Sequence, residues 1–369
     1  MSRDAPIAAL TPLPRIRDDL SSVAVPVAPR SLPTAEALGA TLADDLRVET
    51  AVPATPVARI AGFAVAALDT VGASPYAPAM PSRLVPVDAG AALPAGCDAV
   101  LPADAVGRDI GFATVQQAVA PGENVRRAGE DFAGGLRLAA AGTRLDPRLA
   151  LILALLGRDR VAVRRPRLVL RHGGDAIAAE AARFLAAAFA DGRVDATLGR
   201  LADPIADADL VLLVGGAEIA PDDAALAVLD ATGRRLGHGA ALTGVESLAW
   251  GTIADRPALV LPCRPEAIVA VTPSLIEPLV AASAGATDAP ATETRPLARK
   301  LVSQVGMSEI ALLARDGDGW RPLATGDLPW WAIAAADAFV ELAPACEGHG
   351  EATPLTARLL PSPGFRSRS

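Results

Sequence analysis

Four short stretches of this chain hold residue types from which a catalytic site can be built. The densest is Gly122-Glu123-Asn124-Val125-Arg126-Arg127-Ala128-Gly129-Glu130-Asp131-Phe132. Turn glycines, an arginine pair and two adjacent carboxylates suit an anion beside a Mg²⁺ ion, which takes hard oxygen ligands. The same residues also make an ordinary acidic turn before a helix. In His172-Gly173-Gly174-Asp175 a glycine-rich strand-to-helix turn aims backbone N–H groups at an anion, or it is a plain turn with Asp175 as N-cap. Gly215-Gly216-Ala217-Glu218, followed by Asp222-Asp223, is open in the same way and more acidic. In Leu261-Pro262-Cys263-Arg264-Pro265 two prolines fix the backbone and Arg264 can reach a phosphate. Cys263 reads as a small buried residue rather than a nucleophile, and His172 has no recognisable Ser or Cys partner.

The elements that flank these turns must position them. Arg167–Arg171, Asp209–Val214 and Ala258–Pro262 are short apolar runs. The first two precede helical patterns, one reaching Ala190 and one after Asp223, and the third leads into a helix near Pro265. Strands this apolar are expected in a parallel sheet covered on both faces, where ligands bind beyond the carboxyl ends of the strands. Residues 8–57 combine Pro-rich extended pieces with a helical spacing over Ser31–Leu46 behind a Ser/Thr-Pro start. Short β-like runs occupy Leu84–Val87, Ala99–Pro102 and Ala113–Val119, and the stretch from 291 to 362 reads as a small β domain.

Composition narrows the partners. The 369 residues are 51% hydrophobic, enough for about two or three domains. The longest unbroken apolar stretch, Leu149–Leu156, is far short of the ~18 residues of a spanning helix, so no membrane span is expected. Met1–Pro6 lacks a secretory pattern, which makes cytoplasm the default. The net charge of −8 with dispersed Arg argues against a nucleic-acid partner. Three separated cysteines (Cys97, Cys263, Cys346) and three histidines (His172, His238, His349) form neither a disulfide framework nor a zinc spacing. Lys300 is the only lysine. There is no phosphate-binding loop of the Walker type and no convincing dinucleotide fingerprint.

Taken in order, the turns resemble the MoeA/gephyrin family, the molybdopterin molybdenumtransferases. The resemblance starts at Val25-Pro26-Val27-Ala28 and Thr34–Gly39, continues through Leu93–Val100, and is closest at Asn124–Phe132, similar to N-V-R-x-x-G-E-D. Arg165-Pro166-Arg167 and Gly174-Asp175 resemble R-R-P-x-V and T-G-D-E-L. Gly215-Gly216 resembles the start of G-G-V-S-x-G-D-Y-D, and Pro262 and Pro265 match the prolines of L-P-G-N-P. Ala335–Ala338 and Glu347-Gly348 resemble the last domain's A-x-A-D-G and E-G.

The resemblance implies a multidomain α/β fold: a three-layer molybdopterin-binding α/β domain with a parallel-type sheet, and smaller β-rich domains. The boundaries would be 8–57 with 121–164 for an elongated dimerising domain, 58–120 for an inserted β domain, 165–290 for the α/β domain and 291–362 for a C-terminal β domain. It also implies a homodimer that takes adenylylated molybdopterin, releases AMP in a Mg²⁺-dependent step and inserts molybdate at the dithiolene sulfurs. Glu130, Asp131 and Asp175 would be catalytic and hold the metal. Gly174, Gly215, Gly216, Asp223, Pro262, Arg264 and Pro265 would bind the pterin substrate.

Several positions depart from the family pattern. Ala61 replaces the aspartate of S-A-M-D-G-Y-A, Ala176 the glutamate of T-G-D-E-L, and Glu218 and Pro221 fall on the serine and first aspartate of the third motif. The P-G-K-P region reads Thr243-Gly244-Val245-Glu246-Ser247, without lysine, and Cys263-Arg264 replaces Gly-Asn. The alternative to catalysis is a protein of this family that binds molybdopterin or finished cofactor, or serves as a scaffold.

Overall fold

The structure, a computed structural model, describes residues 9–109, 112–215 and 223–360. The chain divides into two compact units, one formed by the chain up to Asp44 together with everything from Ala141 onward, the other by Asp45–Ala140.

The larger unit is centred on a six-stranded sheet. Its elements in chain order are β1 (Arg167–His172), α1 (Ala176–Ala188), β2 (Asp195–Arg200), β3 (Leu210–Val214), α2 (Ala224–Thr232), β4 (Gly233–His238), β5 (Ala249–Ile253), β6 (Arg256–Leu261) and α3 (Pro265–Val271). The strand order is β2-β1-β3-β6-β5-β4. β2, β1, β3 and β6 run parallel, whereas β5 and β4 are antiparallel to their neighbours. The sheet is therefore mixed where a parallel one was expected. The two-residue turn at Ala254-Asp255, both in the left-handed region (φ 49° and 59°), folds β5 back onto β6 as a hairpin.

Alternation along the strands divides the core. Leu168, Leu170, Leu210, Leu212, Val214, Leu259 and Leu261 pack with Ala178, Ala182 and Leu185 of α1 and Ala267, Ile268 and Val271 of α3. Val211, Leu213, Ala258 and Val260 pack with Ala225, Leu226 and Leu229 of α2. In α1 the buried positions Ala178, Ala181, Ala182 and Leu185 recur at helical spacing, so one stripe meets the sheet. Each fully buried leucine stabilises the fold by about 1.5–3 kcal/mol relative to exposure. The helical run Pro265–Ala284, which continues α3 through a π-helical stretch at Thr272–Ile276, is long and apolar enough to cross a membrane by length and composition. In the fold Ile268, Val271, Leu275, Ile276 and Val280 belong to the core of this unit.

The helical spacing over Ser31–Leu46 does not become a helix. Arg30–Pro33 is a strand antiparallel to Arg160–Arg164, turns follow at residues 34–39, and Thr41–Leu42 pairs with the other edge of the same strand. Pro33 carries no N–H for a helical ladder. Thr34 instead donates its N–H to Asp159 O and its hydroxyl to Arg158 O, and Gly39 turns the chain at φ +81°. The N-terminal helix lies earlier, at Leu13–Ser21, where Leu13, Ile16 and Leu20 are buried. Trp250 of β5 donates its indole N–H to Asp19 of that helix at 3.2 Å.

The same unit ends in a five-stranded antiparallel sheet, ordered Thr292–Pro296, Pro354–Leu359, Ala338–Leu342, Glu309–Asp316 and Gly319–Thr325, with the helix Trp330–Ala335. The smaller unit consists of short pairings: Gly62–Val65 between Val85–Val87 and Ala99–Leu101, Val57–Ala58 with Val125–Arg126, and Leu46–Arg47 with Arg137–Ala139.

Candidate functional site

Three parallel strands, β1, β3 and β6, deliver their turns to one edge of the sheet. Backbone bonds stitch these turns together: Gly173 N–H donates to Val214 O at 3.1 Å and Gly215 N–H to Leu261 O at 2.9 Å. Asp175 caps α1, its Oδ1 accepting from Ala178 N–H at 2.8 Å, and Asp223 caps α2 by accepting from Ala225 and Leu226 N–H. Both helices therefore start at this edge, with the partial positive charge of their first turns facing it.

Cys263 lies on the turn after β6. Burial pushes its thiol pKa up, and the negative charges of Asp175 and Asp223 push it further in the same direction, against a smaller opposing effect of Arg264. At 3% exposed, Cys263 is a buried packing residue, as the sequence suggested. Gly215 has a specific reason to be glycine: a Cβ there would lie 2.6 Å from both carboxylate oxygens of Asp223. Gly216 lies outside the described residues, as do Glu218 and Pro221.

A cavity of about 330 Å³ opens beside the first turn, lined by His172, Gly174, Asp175, Glu180, Arg183 and Arg200 together with Ala176 and Ala179. His172 Nδ1 is 2.6 Å from Gly173 O. A carbonyl only accepts, so Nδ1 is the donor in this contact. Arg183 is paired with Glu180 on the same helix face. Arg200, at the end of β2, donates to Gly173 O at 3.4 Å, and among the described residues no carboxylate forms an ion pair with its guanidinium. Arg200 is thus the cation in this cavity whose charge is not neutralised by a partner.

Pro262 follows the last residue of β6, and Pro265 is the first residue of α3, where a missing N–H costs no hydrogen bond. Arg264 occupies the N-cap position of α3 and donates from Nη2 to Gly244 O at 3.2 Å, while its buried Nε has no hydrogen-bond partner. Gly244 N–H in turn donates to Glu246 Oε1 at 2.9 Å. The lysine-less loop is therefore closed on itself by Glu246 and tied to Arg264. Thr243 N–H, donating to Ser308 O at 3.0 Å, joins it to the final β sheet.

Glu130 and Asp131 belong to the smaller unit. Glu130 is paired with Arg59 and accepts from Arg127 N–H at 2.8 Å. That backbone bond is the first cause of its lowered pKa, with Arg59 and Arg126 acting in the same direction against desolvation. Asp131 Oδ2 accepts from Arg126 Nη1 at 3.0 Å, and Asn124, in the left-handed region at φ 59°, donates its amide to Val100 O. The structure thus groups Asp175, Gly174, Gly215, Asp223, Pro262, Arg264 and Pro265 at one sheet edge, and groups Glu130 with Asp131 in the other unit. Among the described residues, no group of three or more His, Cys, Asp or Glu side chains is placed to hold a metal ion. Arg183 and Arg200 were not singled out from the sequence. The signal for Arg200 was weak because Asp195–Arg200 is a half-exposed polar edge strand with no apolar run.

A mixed α/β sheet with glycine turns and helix N-termini at the carboxyl ends of its parallel strands defines the class of open α/β proteins that bind ligands at that edge. Residues 11–157 match the family model for the MoeA N-terminal region (domain I and II). Molybdopterin molybdenumtransferase 2 of Mycobacterium tuberculosis is 30% identical over 167 residues, 40% of this chain and 41% of that protein. The chain thus spans about two fifths of the length of this first curated relative. Molybdopterin molybdenumtransferase 1 of the same organism is 26% identical over 358 residues, covering 80% of this chain and 82% of that protein. The crystal structure of a molybdopterin biosynthesis MoeA protein from Pyrococcus horikoshii shares the fold, with a TM-score of 0.73 at 22% identity over 95% of this chain and 99% of that one. The chain is thus similar to MoeA proteins in sequence over residues 11–157 and in fold over nearly its whole length.

Proposed function

We propose that this protein works in molybdenum cofactor biosynthesis as a molybdopterin molybdenumtransferase, releasing AMP from adenylylated molybdopterin and placing molybdate on the dithiolene sulfurs. The observation that carries the reading is the cavity at the carboxyl ends of the strands, lined by Arg200 without a carboxylate partner and by the start of α1 at Asp175, Ala176 and Ala179. A phosphate group is the natural occupant of such a place, because fixed N–H dipoles and a guanidinium hold it without reorganising. The curated relatives carry the name of a transferase, which favours turnover over binding alone.

In this reading Gly174 lets the ligand approach the backbone, and Arg200 holds a phosphate oxygen. His172 Nε2 accepts a proton from the water that attacks phosphorus, and AMP leaves with the bridging oxygen. Arg264 keeps the Gly244 loop against the start of α3, and Pro262 and Pro265 hold that turn rigid. Gly215 leaves room for the Asp223 carboxylate, which keeps the second helix start in place. Asp175 and Asp223 fit a Mg²⁺ ion by donor chemistry, since each uses Oδ1 for capping and has no partner on Oδ2, and Mg²⁺ is commonly held by one or two carboxylates with waters. Mg²⁺ bound there would neutralise phosphate charge. Glu130 and Asp131, with Arg59 and Arg126, form the second anion or metal corner of the family pattern, within the smaller unit.

The four-part domain division, a homodimer, a cytoplasmic location and the absence of nucleic-acid or membrane partners belong to the same proposal and are supported by the family resemblance and the charge distribution. Incubation with adenylylated molybdopterin, Mg²⁺ and molybdate should release AMP above a no-protein control. Arg200→Ala should reduce that release by roughly a hundredfold, the loss typical of one oxyanion-stabilising donor. Pterin binding without AMP release from the unsubstituted protein would overturn the transferase reading in favour of a binding protein. Sedimentation as a monomer at micromolar concentration would overturn the dimer.

A further inference from the structure

The three thiols differ in their surroundings. Burial pushes the Cys263 and Cys97 thiols up, making both poorer nucleophiles at neutral pH. Cys346 is half-buried and sits in the turn before the short strand Gly348–His349, which pairs antiparallel with Leu301–Val302. Its own N–H donates to Ala343 O at 2.9 Å, which fixes the turn. Gly348 N–H donates to Cys346 Sγ at 3.3 Å, and Gly348 O and His349 Nε2 each lie 3.8 Å from the same sulfur as acceptors for its proton. The arrangement requires glycine between them: Gly348 has φ +106°, and a Cβ there would lie 2.1 Å from Leu301 O. A backbone donor and an imidazole thus meet on one sulfur, the arrangement of a nucleophile beside a base. Neither the strand-end cavity nor the Arg59–Glu130 corner includes any of these residues.

We propose that Cys346 and His349 form a nucleophile–base pair that makes Cys346 the reactive thiol of the chain, a modification site for small electrophiles of the peroxide class. His349 Nε2 takes the thiol proton, and the thiolate attacks one peroxide oxygen as the O–O bond breaks. The leaving hydroxide takes the proton from His349 and departs as water. Sulfur is oxidised by two electrons to a sulfenic acid, and the peroxide is reduced.

The test is the rate at which each cysteine of the folded, full-length protein is alkylated by iodoacetamide at pH 7, read by mass spectrometry of its peptides. A hydrogen peroxide pulse trapped with dimedone forms the second readout. Cys346 should react about tenfold or more faster than Cys97 and Cys263, the range by which activating surroundings separate thiols, and should carry the dimedone adduct. In denaturant the three rates should converge. His349→Gln should slow Cys346 about fivefold or more while leaving the Cys97 rate unchanged, and continued protection of Cys263 shows that the variant is folded. Should His349→Gln expose Cys263, the comparison of folded and denatured unsubstituted protein decides by itself. A folded-state Cys346 rate no higher than that of Cys97, an unchanged Cys346 rate in folded His349→Gln, or a dimedone adduct on another cysteine overturns the proposal.

Discussion

Asp209 anchors the start of β3 to the start of β1. It accepts from the backbone N–H of Arg167 at 2.9 Å and from its guanidinium at 3.1 and 3.3 Å. Burial raises its pKa, but the Arg167 hydrogen bonds and charge, with Arg256 beyond, outweigh that and hold the carboxyl below the usual range. A carboxyl lowered in the folded state stabilises fully above its ordinary pKa of about 4, and the stabilisation is lost as pH falls through the lower folded value. Asp209→Asn should therefore cost about 2 kcal/mol at pH 7, less than a fully buried pair because the Arg167 side chain is 45% exposed. Denaturation at pH 7 and at pH 2 checks this, since the difference from the unsubstituted protein should shrink in acid. A difference independent of pH would contradict the assignment. Asp175 caps α1, and two substitutions separate that cap from the chemical role proposed for it. Asp175→Ala should lose about 1 kcal/mol of stability with its cap, whereas Asp175→Asn should retain most of it. AMP release should fall in both, and a fully active Asp175→Asn would remove the carboxylate from the chemistry.

Packing between β4 and β5 turns on Gly237, which faces Trp250 at a point where the register shifts. A Cβ on Gly237 would lie 2.1 Å from the buried indole ring, so Gly237→Ala must displace Trp250 or bend β4. The expected cost is about 1–3 kcal/mol, typical of overpacking, with a loss of near-ultraviolet dichroism. An unchanged denaturation midpoint would show that the sheet edge yields freely. The same elements show which parts of the fold the sequence made legible. The runs ending at His172, Val214 and Leu261 could be read as strands because both their faces are buried, and the turns after them could be read because glycine, aspartate and proline mark them. β2 and β4 could not, since edge strands with charged and half-exposed positions carry no apolar run. Ser31–Leu46 misled because its apolar spacing matches a helix, although pairing with Arg160–Arg164, about 130 residues away, decides its conformation. In the candidate site Asp175, Asp223 and Arg264 announced themselves by their turns. Arg200 did not, because only tertiary pairing of β2 with β1 brings it beside Gly173.

At the scale of the whole chain the two units carry different reporters. All four tryptophans, Trp250, Trp320, Trp330 and Trp331, lie in the unit with the mixed sheet, and the single tyrosine, Tyr76, lies in the other. Indole emission should therefore follow one unit while far-ultraviolet dichroism follows both. A chain of two units need not unfold in one step, and the two denaturation curves are expected not to superimpose. Coincident curves would mean that the units unfold as one. The larger unit is itself discontinuous, since Arg30–Pro33 and Thr41–Leu42 pair with Arg160–Arg164 across the intervening Asp45–Ala140. During synthesis at roughly 5–20 residues per second, the first strand waits on the order of ten seconds before its partner is made. Throughout that interval its backbone donors and acceptors are open to other chains. The inserted unit, meanwhile, has been translated in full and can close on itself first. The expected order of maturation on the ribosome therefore runs from the inside of the sequence outward.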